Sequence, residues 1–242
     1  MYAIKTRGIT KIYDDKTVVD SLDLEIPDGD LFSLLGVNGA GKTTTIKMLS
    51  CLTAATDGDA VVCGFSIKKE PEKVKRLIGV SPQQTSVAPN LTVKENLELI
   101  CGIYGFDKEK TKCKIHELSN IFSLDEVMNR KAGKLSGGWQ RRVSISMALI
   151  SEPRVLFLDE PTLGLDVIAR RELWSTIRSL KGKVTIILTT HYMQEAEELS
   201  DRIGIMKNGR LMACGTADEL KELVGAKDFE SAFVMIVSEA EL

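Results

Sequence analysis

The sequence predicts an α/β fold: a parallel sheet with crossover helices, carrying an antiparallel β element at its start and an α-helical subdomain inserted in its middle. Three observations lead there. From Pro153 onward, strand-like runs alternate with helical stretches: Val155 to Leu158, Arg170 to Leu180, Val184 to Leu188, Met193 to Leu199, then Ile203 to Met206. Near the start, the apolar run Leu31 to Leu35 passes through a glycine-rich turn into a segment that opens at Lys42. Between these two regions, from about residue 86 to 150, the apolar spacing is helical throughout.

Taken in order, the first thirty positions alternate polar and apolar residues, as in Val18, Leu22, Leu24 and Ile26, and are punctuated by Pro27, Asp28 and Gly29. This is the small β-rich start. Leu31 to Leu35 then reads as a strand and the segment after Lys42 as a helix, with Ile46, Met48 and Leu49 on it. In the middle, Thr92 and Glu95 form a capping box ahead of Val93, Leu97, Ile100, Cys101 and Tyr104, all expected on one helical face. Ile115, Leu118 and Phe122 mark a second helix, and Val143, Met147 and Ile150 a third one starting at Ser136. The organisation expected is one domain over residues 1–242, with an α/β core at 1–85 and 151–242 and the helical subdomain at about 86–150. The tail from Asp228 to Leu242 spaces Phe229, Phe233 and Val237 by four, which suits either a docking helix or a helix closing the core.

Length and composition set bounds. A chain of 242 residues buries a sizeable core but does not hold two full catalytic domains. With 43% apolar and 27% charged residues it is an ordinary globular composition. Its longest apolar runs are strand-length, far below the ~20 residues of a membrane span, and Met1 to Thr10 lacks the pattern of a secretory signal. A cytoplasmic location is expected, with any work at a membrane requiring a partner. Thirty-two basic residues against 34 acidic ones leave no excess for a phosphate backbone, so nucleic acid is not an expected ligand. The five cysteines are scattered, without a CxxC pair, and are expected as reduced thiols at packing positions.

Three segments carry chemistry. Gly36-Val37-Asn38-Gly39-Ala40-Gly41-Lys42-Thr43 fits GxxxxGK[ST] between a strand and a helix. Glycines let the backbone curl until several N–H groups face one phosphate, and the helix start adds positive potential. Lys42 suits the β and γ phosphates and the Thr43 hydroxyl suits Mg²⁺. The core is therefore expected to be of the P-loop NTPase type. The second segment is the strand Val155 to Leu158 running into Asp159 and Glu160. Asp159 is placed to hold Mg²⁺, and Glu160 to take a proton from an attacking water if the fold turns it towards the γ phosphate. In the third, Leu135 to Gln140, Ser136 is expected to cap a helix beside Gly137 and Gly138, a second anion-binding helix start.

With these motifs in this order, the chain resembles the ATPase subunits of ABC transporters from about Ile9 to Gly215. The segments concerned are GVNGAGKTTT (Gly36 to Thr45), LSGGWQRR (Leu135 to Arg142), FLDEPTLGLD (Phe157 to Asp166) and TTHYMQEAEELSDR (Thr189 to Arg202), the last resembling subunits of drug-export complexes. The resemblance implies ATP and Mg²⁺ as ligands. It implies adenine stacking by Tyr13, a Mg²⁺- and water-sensing role for Gln83 with Gln84 as its adjacent competitor, and a γ-phosphate contact from His191. Asn38, Ala40, Thr44, Gln140 and Asp166 join the nucleotide-binding set by the same likeness. Two such chains, identical or related, would pair head to tail, so that each ATP lies between one P-loop and the other chain's Ser136 to Gly138. Integral membrane permease subunits would complete the assembly, with this chain peripheral at the cytoplasmic face. Leu163 and Val167 depart from the family's usual serine and proline in the loop facing the second subunit. His116, in the variable middle, reads as a surface residue. A soluble ABC protein of translation or DNA repair is the alternative, though such chains usually carry two ATPase units or a long coiled-coil insertion. A regulatory module without turnover is opposed by Glu160 and His191.

Overall fold

A computed structural model describes residues 1–239 of the chain, so the last three residues of the Asp228 to Leu242 tail lie outside the described residues. In order, the elements are β1 (Tyr2–Tyr13), β2 (Lys16–Leu22), β3 (Glu25–Pro27), β4 (Leu31–Leu35), α1 (Lys42–Leu49), β5 (Asp57–Val62), β6 (Phe65–Ser66), α2 (Pro71–Lys75) and β7 (Ile78–Ser81). There follow α3 (Val93–Ile103), α4 (Lys108–Phe122), α5 (Gly137–Leu149), β8 (Val155–Asp159), α6 (Val167–Ser179), β9 (Thr185–Thr190), α7 (Met193–Leu199), β10 (Arg202–Lys207), β11 (Arg210–Gly215), α8 (Ala217–Val224) and α9 (Phe229–Glu239).

Two sheets result. The antiparallel one runs β2-β1-β5-β6, with β3 also paired to β1. The other runs β11-β10-β4-β9-β8-β7, parallel except for the antiparallel edge strand β11. Its central strands are buried on both faces, and side-chain alternation sorts them into two layers. Phe32, Leu34, Val155, Phe157 and Ile187 face the antiparallel sheet, meeting Ile4, Ile26 and Val62. Leu31, Leu156, Leu158, Ile186 and Leu188 face the other way, under Val93 and Leu97 of α3, Val143 of α5 and Ile177 of α6. A third cluster joins Leu35, Ile203 and Ile205 to Leu220, Phe229 and Ile236.

The register aligns the strand ends. Leu35 pairs with Thr190, Asp159 with Thr189, and Ser81 with Leu158. The residues that directly follow β4, β7, β8 and β9 therefore emerge along one edge of the sheet, where open α/β folds place their ligands.

The capping box at Thr92 and Glu95 forms as expected, with Glu95 N–H donating to Thr92 Oγ1 at 3.2 Å and Thr92 N–H to Glu95 Oε2 at 2.7 Å. Val93, Leu97 and Cys101 are buried, but Tyr104 is 48% exposed. The helix ends at Ile103, so the apolar period does not carry through Tyr104. The apolar face of the tail closes the third cluster: Phe229 and Ile236 are buried, with Phe233 and Val237 packed beside them. All five cysteines are free thiols, and Cys63 and Cys101 are buried. His116 is at the surface and faces Asn120 at 3.4 Å. No helix among the described residues is long and apolar enough to cross a membrane.

Phe157 sits fully buried in a strand flanked on both sides. Phe157→Ala should lower the unfolding free energy by about 3–5 kcal/mol, measured by urea titration; a loss under about 1 kcal/mol would mean that the layer between the sheets does not carry the core.

Candidate functional site

The loop between β4 and α1 is confined by other backbones. A Cβ on Gly36 would lie 2.4 Å from the Met206 carbonyl oxygen, and one on Gly41, whose φ is +101°, would lie 2.7 Å from that of Val18. Only glycine satisfies both conditions at Gly41. The Ala40 carbonyl accepts from Gly209 N–H at 3.0 Å, which ties the loop to the β10–β11 turn. Lys42, the first residue of α1, is 5% exposed. Its Nζ donates to the carbonyls of Gly36 at 2.7 Å and Val37 at 3.2 Å and lies 3.5 Å from Glu160 Oε1. Burial pushes the Lys42 ammonium below its usual pKa, and the Glu160 carboxylate opposes that shift.

Glu160 leaves β8 with φ +48°, a left-handed conformation that is uncommon for a residue with a side chain. Its N–H is held by Thr189, to the hydroxyl at 3.0 Å and the carbonyl at 3.2 Å. The turn points its carboxylate at Lys42 and at His191, whose Nδ1 is 2.8 Å from Glu160 Oε2. His191 therefore contacts the candidate base directly. Behind this pair, Thr43 Oγ1 donates to Asp159 Oδ1 at 2.9 Å, and Thr189 Oγ1 donates to the same oxygen at 2.6 Å. A hydroxyl and a carboxylate side by side at the helix start are the hard oxygen donors that Mg²⁺ takes, so these residues fit that ion.

Asn38, Gly39, Ala40, Gly41, Lys42, Thr43, Thr44, Gln83, Glu160 and His191 line one cleft of about 390 Å³, together with Val18 and Leu163. The other predicted residues lie elsewhere. Tyr13 ends β1, 42% exposed, with Lys11 Nζ 4.7 Å from its ring centroid. Ser136 occupies the N-cap position of α5, but its side chain makes no cap hydrogen bond, contrary to expectation. The helix is instead secured by packing: a Cβ on Gly138 would lie 3.3 Å from that of Ala169 at the start of α6. Asp166 caps α6, its Oδ1 accepting from the N–H groups of Ile168 and Ala169 at 2.9 Å. Gln140 donates to the Leu135 carbonyl at 3.1 Å. Ser136 to Gly138 and Asp166 thus belong to a second patch, where α5 and α6 begin together.

Sequence reasoning missed Glu195. It is fully buried on α7, and its Oε1 accepts from Thr162 Oγ1 and Trp174 Nε1, both at 2.8 Å. Burial raises its pKa, against the hydrogen bonds from Thr190, Thr162 and Trp174. It joins the segment after Glu160 to the helix after His191. Nothing in Glu195-Ala196-Glu197-Glu198 distinguishes it from its solvent-facing neighbours.

The family model described as ABC transporter matches residues 19–163. The chain is 38% identical over its full length to a daunorubicin resistance ATP-binding protein of Streptomyces coeruleorubidus, covering 74% of that protein. It is 40% identical to the Nod factor export ATP-binding protein I of Rhizobium etli, over 95% of this chain and 73% of the relative. A dimeric ATP-binding cassette in a post-hydrolysis state, bound to ADP and Pi, superposes with a TM-score of 0.78 at 27% identity, over 88% of this chain and 98% of that one.

A carboxyl whose pKa is raised on folding stays protonated in the native state while the unfolded chain ionises, so its contribution to stability falls as pH rises above the ordinary carboxylate value. The stability of Glu195→Gln relative to wild type should therefore increase between roughly pH 5 and pH 8. Denaturant midpoints across that range test this, and a pH-independent difference would mean that Glu195 is ionised in the fold.

Proposed function

The chain belongs to the ABC transporter family as an ATP-hydrolysing nucleotide-binding subunit, and from that premise we propose that it drives export by an integral membrane permease. In this reading it sits peripherally at the cytoplasmic face and pairs with a second ABC ATPase subunit. The supporting observation is the convergence of Lys42, Thr43, Asp159, Glu160 and His191 around one cleft at the ends of three adjacent strands.

The residues divide the work. ATP enters with its β and γ phosphates against the N–H groups of the Gly36 to Thr43 loop, beside the Lys42 ammonium. Thr43, Asp159 and Gln83 would hold Mg²⁺, which would supply positive charge against the phosphates. Glu160 accepts a proton from water as the water oxygen bonds to the γ phosphorus and the bond to the bridging oxygen breaks, releasing ADP and phosphate. His191, 2.8 Å from Glu160, orients that carboxylate and reaches the γ phosphate. Tyr13 stacks on adenine, and Thr44 completes the phosphate contacts.

Ser136, with a hydroxyl not used as a cap, and the N–H groups of Gly137 and Gly138 present an anion-binding helix start to the partner chain's nucleotide. Gln140 supports that turn, and Asp166 fixes the facing loop. Export is supported by the names of the drug-resistance and Nod factor relatives. Co-purification from detergent-solubilised membranes tests the membrane partner: recovery without any integral membrane protein would overturn it.

Glu160→Gln should keep ATP binding and slow hydrolysis roughly 10² to 10⁴-fold, read as phosphate release at saturating ATP; turnover within about threefold of wild type would remove Glu160 as the base.

Gly137→Asp should be inactive alone, and the space at Gly137 admits a Cβ with its nearest contact at 3.8 Å. Mixed with Glu160→Gln before ATP is added, it should regain measurable phosphate release, because one composite site of the mixed dimer is then whole. Verified mixed dimers that stay inactive would contradict the shared-site arrangement.

A further inference from the structure

Arg141 is used by none of the steps above, yet it is 5% exposed, and no salt bridge within 4 Å is made by it among the described residues. It lies on α5, one turn beyond the Ser136 to Gly138 start. Its Nη1 donates to the carbonyl of Pro82 and its Nη2 to the carbonyl of Gln83, both at 2.6 Å. A planar fork meets two consecutive peptide carbonyls, a geometry that fixes the backbone in direction as well as position. The Gln83 main chain is thereby held by α5, and Gln83 lines the cleft.

Neighbouring contacts point the same way. Ser81 Oγ and Ser144 Oγ are 3.0 Å apart and buried, and Thr85 Oγ1 donates to Gln140 Oε1 at 3.4 Å. A Cβ on Gly79 would lie 2.2 Å from the Ala148 carbonyl oxygen, so β7 and α5 touch backbone to backbone. A buried guanidinium is costly unless its field is used. Burial indeed pushes the Arg141 pKa down, with the charge of Asp159 opposing that shift.

We propose that Arg141 is the positioning residue for Gln83, locking the loop after β7 to the helix that carries Ser136. This rests on the role assigned above to Gln83. Arg141 touches no substrate; it acts by keeping the Gln83 amide at its working distance. Lysine in its place keeps the charge but offers a point donor, which does not grip both carbonyls at once.

The test compares wild type, Gln83→Ala, Arg141→Lys and the double variant, measuring kcat, the KM for ATP and the Mg²⁺ concentration giving half-maximal turnover. Arg141→Lys should lower kcat on the order of 10- to 100-fold, the cost of a misplaced group, with the KM for ATP within about threefold of wild type and a raised Mg²⁺ requirement. In the Gln83→Ala background the same substitution should cost nothing further. An equal fold-loss in both backgrounds would show that Arg141 acts independently of Gln83 and would overturn the inference, as would an Arg141→Lys protein with wild-type kcat. Full activity of Gln83→Ala alone would instead overturn the role given to Gln83 itself. Should Arg141→Lys fail to fold by circular dichroism, Arg141→Gln, neutral and with a single amide donor group, carries the same comparison.

Discussion

Between the last residue of β4 and the first of α1 the chain threads a gap walled by two other backbones. Met206 in β10 closes it at Gly36, and Val18 in β2 closes it at Gly41. One wall belongs to the parallel sheet and the other to the antiparallel sheet, so the loop is a joint between them as well as a binding surface. Its curl is confined by those walls, since a side chain at either glycine would meet another backbone. The register of β4, β9 and β8 then sets the heights of His191 and Glu160 relative to it. Filling either glycine position would move a strand before it moved a ligand.

Charge in this region is balanced by construction. Lys42, Arg141, Asp159 and Glu160 are each no more than 6% exposed, two cations against two anions. Lys42 answers Glu160 at 3.5 Å, while the field of Asp159 favours the charge on Arg141. A polyphosphate in the cleft adds several negative charges to that balance, and Lys42 lines the cleft. The Thr43 hydroxyl beside Asp159 at the helix start offers hard oxygen donors of the kind Mg²⁺ takes. Glu195 follows a different rule: it is buried against Thr162 and Trp174, and burial raises its pKa against the hydrogen bonds it accepts.

Local features were legible in the amino-acid sequence because their signals are local. The GxxxxGK[ST] turn, the Thr92–Glu95 box and the span of α7 from Met193 to Leu199 each depend on neighbours in the chain, and each formed where expected. Strand β11 and the β5–β6 hairpin, whose pairing partners lie elsewhere in the chain, went unread, as did helix α8, although Thr216 and Glu219 form a capping box at its start and Gly225 closes it. The same limit applies to the site. Asp159 and Glu160 announce themselves as two acids ending an apolar strand, but the left-handed turn that aims Glu160 is set by Thr189, far along the chain. Arg141 and Glu195 stand in ordinary charged helical stretches, and only the tertiary contacts to Gln83 and Thr162 single them out. Ser136 differs in another way: it occupies the N-cap position of α5 as its sequence context suggests, but its side chain makes no cap hydrogen bond.

The turn at Glu160 also constrains how this sequence can drift. A residue held at φ +48° is tolerated best as glycine, asparagine or aspartate, whose backbones enter that region at lower cost. Glycine would relax the chain and delete the carboxylate; aspartate would suit the backbone but withdraw the carboxylate by one methylene from Lys42 and His191. Backbone preference and reach therefore pull in opposite directions at one position. Glutamate is the compromise in which local conformational cost is accepted for the sake of length, so the substitutions easiest on the main chain are those that disarm the site.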